Sequence, residues 1–204
     1  MKIGIGADNN AFEAKEVLKE YMISLGHDVK DYGCYSADDV DYPGIAFKVA
    51  QGINEQEVER GILICGTGIG MAIAANKIPG IRAAQAHDPY SAERAQLSNN
   101  AQIITFGAKI IGVDVMKYLT KIYLENTFQG GNSGRKVDQI TDKEKEVYSL
   151  YFEQNMSIKE TAQELDSTDG SIRGSIQRIR SKAMKLQNLY FILVFACIFG
   201  RLCT

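Results

Sequence analysis

Cys65-Gly66-Thr67-Gly68-Ile69-Gly70 is the segment of this 204-residue chain best equipped for chemistry. Glycines at alternate positions let backbone N–H groups crowd round a ligand. The Ala-rich pattern that follows starts a helix, whose N-terminus adds positive partial charge. An anion, or an oxygen becoming one, is stabilised there. A thiol at the start of such a turn gains thiolate character as a base or nucleophile. Other readings share the spacing. Gly66-x-Gly68-x-Gly70 falls one residue short of the dinucleotide fingerprint, because Met71 holds the third glycine position, and the partner acidic residue is poorly placed. Gly-Lys-Ser/Thr is absent, so the segment is no Walker loop. The plainest alternative is a tight strand-to-helix turn with an inert, buried cysteine.

That loop needs a frame. Lys2–Gly6 reads as a buried strand. Ala11–Leu25 reads as a helix with an apolar stripe at Val17, Leu18, Tyr21, Met22 and Leu25, stopped by Gly26. Asp28–Asp31 is a short strand, Pro43–Gln51 a helix and Gly61–Ile64 a third strand. Ile69–Lys77 is helical, Ile81–Ala86 and Gln102–Phe106 are strands about a helix over Tyr90–Leu97, and Ala108–Glu125 is a closing helix. Strands spaced by such helices predict an α/β fold: a doubly wound, Rossmann-like parallel sheet of about five strands. Ligands sit beyond the carboxyl ends of such strands, which singles out Asp8–Asn10, Cys65–Gly70 and the loop round His87-Asp88.

Composition adds exclusions. Apolar residues are 45% and charged residues 24%, which excludes disorder, collagen-like and coiled-coil classes. A net charge of -2 gives no global positive field for nucleic acid, although a local basic helix would supply one. Cys34, Cys65, Cys197 and Cys203 show no paired metal spacing, the only histidines are His27 and His87, and no signal-peptide pattern opens the sequence. No metal site is expected, and the reading is a cytoplasmic protein with reduced thiols.

Five runs carry a resemblance. They are Asp41-Tyr42-Pro43, Gly61-Ile62-Leu63-Ile64-Cys65-Gly66-Thr67-Gly68-Ile69-Gly70, Ala74-Ala75-Asn76-Lys77-Ile78-Pro79-Gly80-Ile81-Arg82-Ala83, and Pro89-Tyr90-Ser91-Ala92 with Thr105-Phe106-Gly107. Together they resemble the B-type ribose-5-phosphate isomerases, a family that includes the galactose-6-phosphate isomerase subunits. The likeness covers about residues 1–140. It implies aldose–ketose isomerisation of a sugar phosphate through an enediolate, without metal or organic cofactor. It also implies a homodimer or tetramer with shared active sites. By that resemblance Cys65 is the base, Thr67 with the amides of Gly66, Gly68, Ile69 and Gly70 holds the enediolate, and Asp8 and Tyr42 contact substrate. Plainer roles stand beside these: Tyr42 as a packing residue and Asp8 as a helix cap.

The departures bear on the substrate. Asp8-Asn9 stands where many members have Asp-His, Ser98-Asn99 where many have His-Asn, and Gly130-Gly131-Asn132-Ser133-Gly134-Arg135-Lys136 where the family has Gly-Gly-Arg-His-x-x-Arg. A ring-opening histidine is missing, and Lys136 is what remains of the phosphate clamp, with Asn132 in an arginine's place and Arg135 adjacent. Asn9 and Ser98 do not titrate near neutral pH. A four-carbon sugar phosphorylated on its terminal oxygen forms no five-membered ring and needs no opener. That pair is the favoured substrate, with ribose 5-phosphate/ribulose 5-phosphate as the other. His87 lies on a ligand-side loop and is either a substitute acid–base group or a solvent-exposed histidine.

Beyond Gln129–Arg135, which reads as a Gly/Ser-rich loop, composition changes. Domains are expected at 1–140, 141–188 and 189–204. Ile140–Leu186 holds three short helical patterns, Lys143–Gln154, Ser157–Leu165 and Asp169–Lys185, and Ser157 with Glu160 forms a capping box. The segment resembles the helix-turn-helix of sigma-factor region 4. Ser157–Leu165 would be its first helix and Ser171–Lys182 its recognition helix, so DNA is a candidate partner through residues 157–185, with Arg173, Arg178 and Arg180 on phosphates. A packed extension with a solvated basic face is the plainer reading. Leu189–Gly200 is apolar but too short to span a membrane. An isomerase leads; a sugar-phosphate-responsive DNA-binding regulator that keeps the isomerase fold is the alternative.

Overall fold

The computed structural model describes residues 1–37 and 40–176. They fall into two units, divided after Val137. The first is built on β1 (Lys2–Ala7), β2 (Asp28–Asp31), β3 (Arg60–Cys65), β4 (Ala83–Gln85) and β5 (Ile103–Gly107). All pairings are parallel, in the order β2-β1-β3-β5-β4. The connecting helices are α1 (Phe12–Ser24), α2 (Tyr42–Asn54), α3 (Ile69–Ala75), α4 (Pro89–Leu97) and α5 (Val113–Glu125). This is the expected doubly wound sheet. From β1 the chain leaves to one side and from β3 to the other, so the crevice lies beyond the carboxyl ends of β1 and β3.

Strand alternation sorts the core into two layers. Ile62 and Ile64 of β3 pack with α1, α4 and α5 through Leu18, Met22, Ala92, Ala95, Leu119 and Tyr123. Leu63 and Cys65 face the other way, into Ile45, Ala46 and Val49 of α2 and Met71, Ala74 and Ala75 of α3. Gly6 of β1 has no room for a side chain, since a Cβ there would lie 2.5 Å from Ile45. That absence brings α2 close to the sheet.

Three expectations are corrected. In α1, Val17 and Leu25 of the expected stripe are exposed, while Lys15 is wholly buried. Its ammonium bonds to Asp31 at 2.7 Å, to the Cys34 carbonyl at 2.6 Å and pairs with Glu16 at 2.7 Å. Those partners offset the cost of burying the charge. The closing helix starts at Val113, not Ala108: the amides of Ala108 and Lys109 bond to the Cys65 and Gly66 carbonyls at 2.8 and 3.0 Å instead of starting a helix. The expected loop 129–135 is helical from Asn132, where α6 (Asn132–Tyr148) begins after Gly130 and Gly131 at positive φ.

In the second unit, a π-helical turn at Ser149–Glu153 precedes α7 (Ile158–Glu164), which carries the expected capping box of Ser157 and Glu160. A turn follows, and residues 169–176 are helical again. Ala162, Ile172 and Ile176 form its small core with Tyr151, Phe152, Ile158 and Leu165. Arg178, Arg180 and Lys182, the rest of the expected recognition helix and the apolar segment 189–204 lie outside the described residues. Among the described residues no helix is long and apolar enough to cross a membrane.

Candidate active site

Asp8 follows β1 and Cys65 ends β3, and the Asp8 amide bonds to the Ile64 carbonyl at 3.2 Å. The two side chains that could do chemistry are thus fixed on adjacent strands at the crevice. Cys65 is only 5% exposed. Its Sγ accepts the Gly68 N–H at 3.1 Å, so the glycine loop folds back over the sulfur. Gly68 adopts φ +81°, and a Cβ there would meet the Phe106 backbone at 2.9 Å. Only glycine fits that turn.

Peptide orientation does the rest. The Cys65 and Gly66 carbonyls are taken by the amides of Ala108 and Lys109, the Thr67 carbonyl by Gln85 Nε2 at 2.7 Å and the Gly68 carbonyl by Thr105 Oγ1 at 2.9 Å. In a planar trans peptide the N–H points opposite to the carbonyl. With the Cys65, Gly66 and Thr67 carbonyls turned toward β4 and β5, the N–H groups of those peptides turn away from them. Those of Gly66 and Thr67 have no acceptor among the described residues. Thr67 Oγ1 accepts the Ile69 N–H at 3.3 Å, which leaves its hydroxyl proton for another acceptor.

Asp8 is 7% exposed and makes no side-chain cap to the 3-10 turn Asn9–Ala11. Its Oδ1 has no hydrogen-bond partner, and Oδ2 takes a long 3.4 Å bond from the Asn10 side chain, with the Asn10 and Ala11 amides also pulling on the carboxylate. Burial pushes its pKa up, against smaller opposing pulls from Asn10 and the Lys109 charge. A buried, unpaired carboxylate oxygen is one that a ligand hydroxyl would satisfy. Tyr42 opens α2 and lays its ring on Gly70, where a Cβ would sit 2.7 Å from the ring, so it both packs and remains 39% exposed. Asn9 is the first residue of the 3-10 turn beside Asp8.

His87 is neither free nor simply solvated: its Nε2 accepts the Gly107 N–H at 2.9 Å. Burial lowers its pKa, with Asp88 opposing. The neutral ring is locked in place with its proton on Nδ1.

The structure does not bring the remaining expected residues to this end of the sheet. Ser98 and Asn99 close α4, both bonded to the Arg94 carbonyl. α4 runs from the carboxyl end of β4 back to the amino end of β5. Gln129 is tied to the Leu97 carbonyl at 3.2 Å, so the segment that leads into α6, with Asn132 and Lys136, sets out from that same far end. One residue escaped the sequence reading. Lys109, assigned there to a helix, is an exposed loop cation whose stem passes Gly66, 3.7 Å from a Cβ placed there, and whose charge reaches Asp8. Gly107 just before it and Gly112 after it were the signals of a loop.

Residues 3–140 match the family model described as Ribose/Galactose Isomerase. The chain is 49% identical over 142 residues to a Ribose-5-P isomerase B of Listeria innocua, covering 70% of this chain and 96% of that protein. It is 45% identical over 141 residues to a D-erythrulose-4-phosphate isomerase of Pectobacterium atrosepticum, covering 69% and 93%. The solved Ribose-5-Phosphate Isomerase B of Clostridium thermocellum superposes with a TM-score of 0.70 at 39% identity, over 71% of this chain and 98% of that one. With the glycine loop, the crevice and these likenesses in agreement, the chain belongs to the ribose/galactose isomerase family and is an aldose–ketose isomerase of phosphorylated sugars.

Proposed function

We propose that the substrate is a four-carbon sugar phosphate, a tetrose 4-phosphate in exchange with its tetrulose 4-phosphate, and that Cys65 is the base. A tetrose phosphorylated on its terminal oxygen has no hydroxyl placed to close a five-membered ring, so its carbonyl is already open. A pentose 5-phosphate does close one and needs a proton-shuttling group to open it. The observation that carries the reading is the want of a free imidazole: Asn9 and Ser98 are not histidines, His87 Nε2 is engaged by Gly107, and His27 lies before β2 at the amino end of the sheet. The relative named for D-erythrulose 4-phosphate supports it, and the one named for ribose 5-phosphate supports the pentose alternative.

In this mechanism the Cys65 thiolate removes the proton from C2 of the aldose. Charge gathers on the C1 oxygen, met by the Gly66 and Thr67 amides and the Thr67 hydroxyl. The same sulfur returns the proton to C1 while a proton passes from O2 to O1, giving the ketose. Asp8 Oδ1 accepts a substrate hydroxyl, Asn9, Tyr42, Gly68, Ile69 and Gly70 line the sugar, and Lys109 offers its charge to the anionic end. Initial rates on four- and five-carbon phosphates, with deuterium from solvent read at the protonated carbon, test the proposal. A kcat/KM preference of about tenfold or more for the tetrulose phosphate is expected; a preference for the pentose phosphate overturns it.

The far-end group completes a second copy's site. Ser98, Asn99, Asn132 and Lys136 cannot reach Cys65 of their own chain, and a homodimer or tetramer with shared active sites puts them to use, with Lys136 on the phosphate. Mixing Cys65→Ala and Lys136→Ala chains tests this. Each mixed dimer holds one intact site, so about a quarter of wild-type activity returns from two inactive proteins; no recovery refutes sharing. The free thiols of Cys34 and Cys65 fit a reducing, cytoplasmic setting.

For the second unit, DNA is the proposed partner, through residues 157–185. The supporting observation is the turn after α7, where Asp166 adopts φ +45° between helices joined by Ala162, Ile172 and Ile176, with Arg173 exposed. A gel-shift titration of the full chain at low and high salt is expected to show salt-sensitive binding, and none at low salt removes the reading.

A further inference from the structure

The four carbonyls of the catalytic loop are not held alike. Those of Cys65 and Gly66 are gripped by main-chain amides, and that of Gly68 by both the Ala72 amide and the buried Thr105 hydroxyl. The Thr67 carbonyl has one hydrogen bond among the described residues, from the side-chain amide of Gln85 at 2.7 Å. Gln85 is the last residue of β4 and is exposed. The Thr67–Gly68 peptide it holds is the one whose N–H reaches the Cys65 sulfur at 3.1 Å.

We propose that Gln85 is a positioning residue for the isomerisation: it acts on Cys65 through a single peptide group. Donation to the Thr67 oxygen fixes the plane of that peptide and so the aim of the Gly68 N–H. It also polarises the peptide, because hydrogen bonds in series strengthen one another. A well-aimed Gly68 N–H holds the sulfur where it can meet the substrate's carbon. Gln85 bonds to the loop carbonyl rather than to the sulfur, so its loss alters proton transfer more than binding.

The inference rests on Cys65 being the base, and the experiment separates the two. Gln85→Met keeps the length of the side chain and removes the donor at an exposed site. Expected are a fall in kcat of about tenfold, the worth of one uncharged hydrogen bond, and a KM within about twofold of wild type. Gln85→Lys, which restores a donor, recovers most of the rate. Should Met disturb packing, as a thermal melt would reveal, Gln85→Glu offers the same shape without a donor at neutral pH. An unchanged kcat in the donor-free variants, with Cys65→Ala inactive, overturns the role of Gln85. An active Cys65→Ala overturns the base itself.

Discussion

Replacing Asp8 with Asn should make the protein more stable and less active at once. The carboxylate is 7% exposed and its Oδ1 is unpaired. An orphaned buried acceptor costs about 1–3 kcal/mol. The 3.4 Å bond from Asn10 and the field of Lys109 return part of this, and Asn leaves one neutral orphan behind. The net gain from removing the charge is about 1 kcal/mol, or about 3 °C in Tm. The sign depends on pH. Burial raises the native pKa above 3.8, so the native state holds this proton more tightly than the unfolded chain does. The cost of Asp8 is therefore absent below the unfolded pKa and fully present once pH exceeds the native one. The advantage of the Asn variant should vanish in acid and level off near neutrality. On the catalytic side, a charge-assisted bond to a substrate hydroxyl is worth about 1.5–3 kcal/mol, so kcat/KM should fall about 10- to 100-fold. Melts from pH 3 to 8 on both proteins, with kinetics at neutral pH, decide it. A variant less stable than wild type at neutral pH would show that the carboxylate serves the fold, and the ligand argument would fail.

Gly68→Ala forces a left-handed turn, costing about 1 kcal/mol, and drives a Cβ to 2.9 Å from the Phe106 backbone, adding about 2 more; a urea melt showing under about 1 kcal/mol lost would refute the close approach. Lys15→Met leaves the Cys34 carbonyl unpaired and Asp31 with only Lys19 and the Gly33 amide, a destabilisation of about 3 kcal/mol by the same melt. Burial lowers the pKa of both His87 and His27, so the unfolded chain takes up protons first as pH drops. Stability from these groups is full above about 6.5 and declines below it, and a Tm flat from pH 7.5 to 5.5 would contradict this.

Where local pattern and tertiary need agreed, the sequence was legible. Asp28–Asp31 and the start of α3 at Ile69 fall where periodicity and glycine spacing put them. Failures occurred where a distant partner decides. Lys15 reads as a polar position because its acceptors, Asp31 and the Cys34 carbonyl, arrive from the end of β2. Ala-Lys-Ile-Ile after β5 continues a helical pattern, yet its first amides are claimed by the Cys65 and Gly66 carbonyls across the sheet. That competition put Lys109 at the crevice.

The far-end residues teach a different lesson, because their separation followed from the pattern itself. A helix after a parallel strand carries the chain back to the amino ends, so a residue just before a strand lies a full strand length from one just after a strand. Ser98 and Asn99 precede β5 and Cys65 ends β3. Strands of 5 and 6 residues span about 17–20 Å at about 3.3 Å per residue, much longer than a small sugar phosphate. The resemblance that singled these residues out also implied active sites shared between subunits, which that distance requires if they take part. Either the far-end group has no part in the reaction, or a second chain delivers it, and subunit mixing tells the two apart because only delivery in trans lets two inactive chains restore an active site.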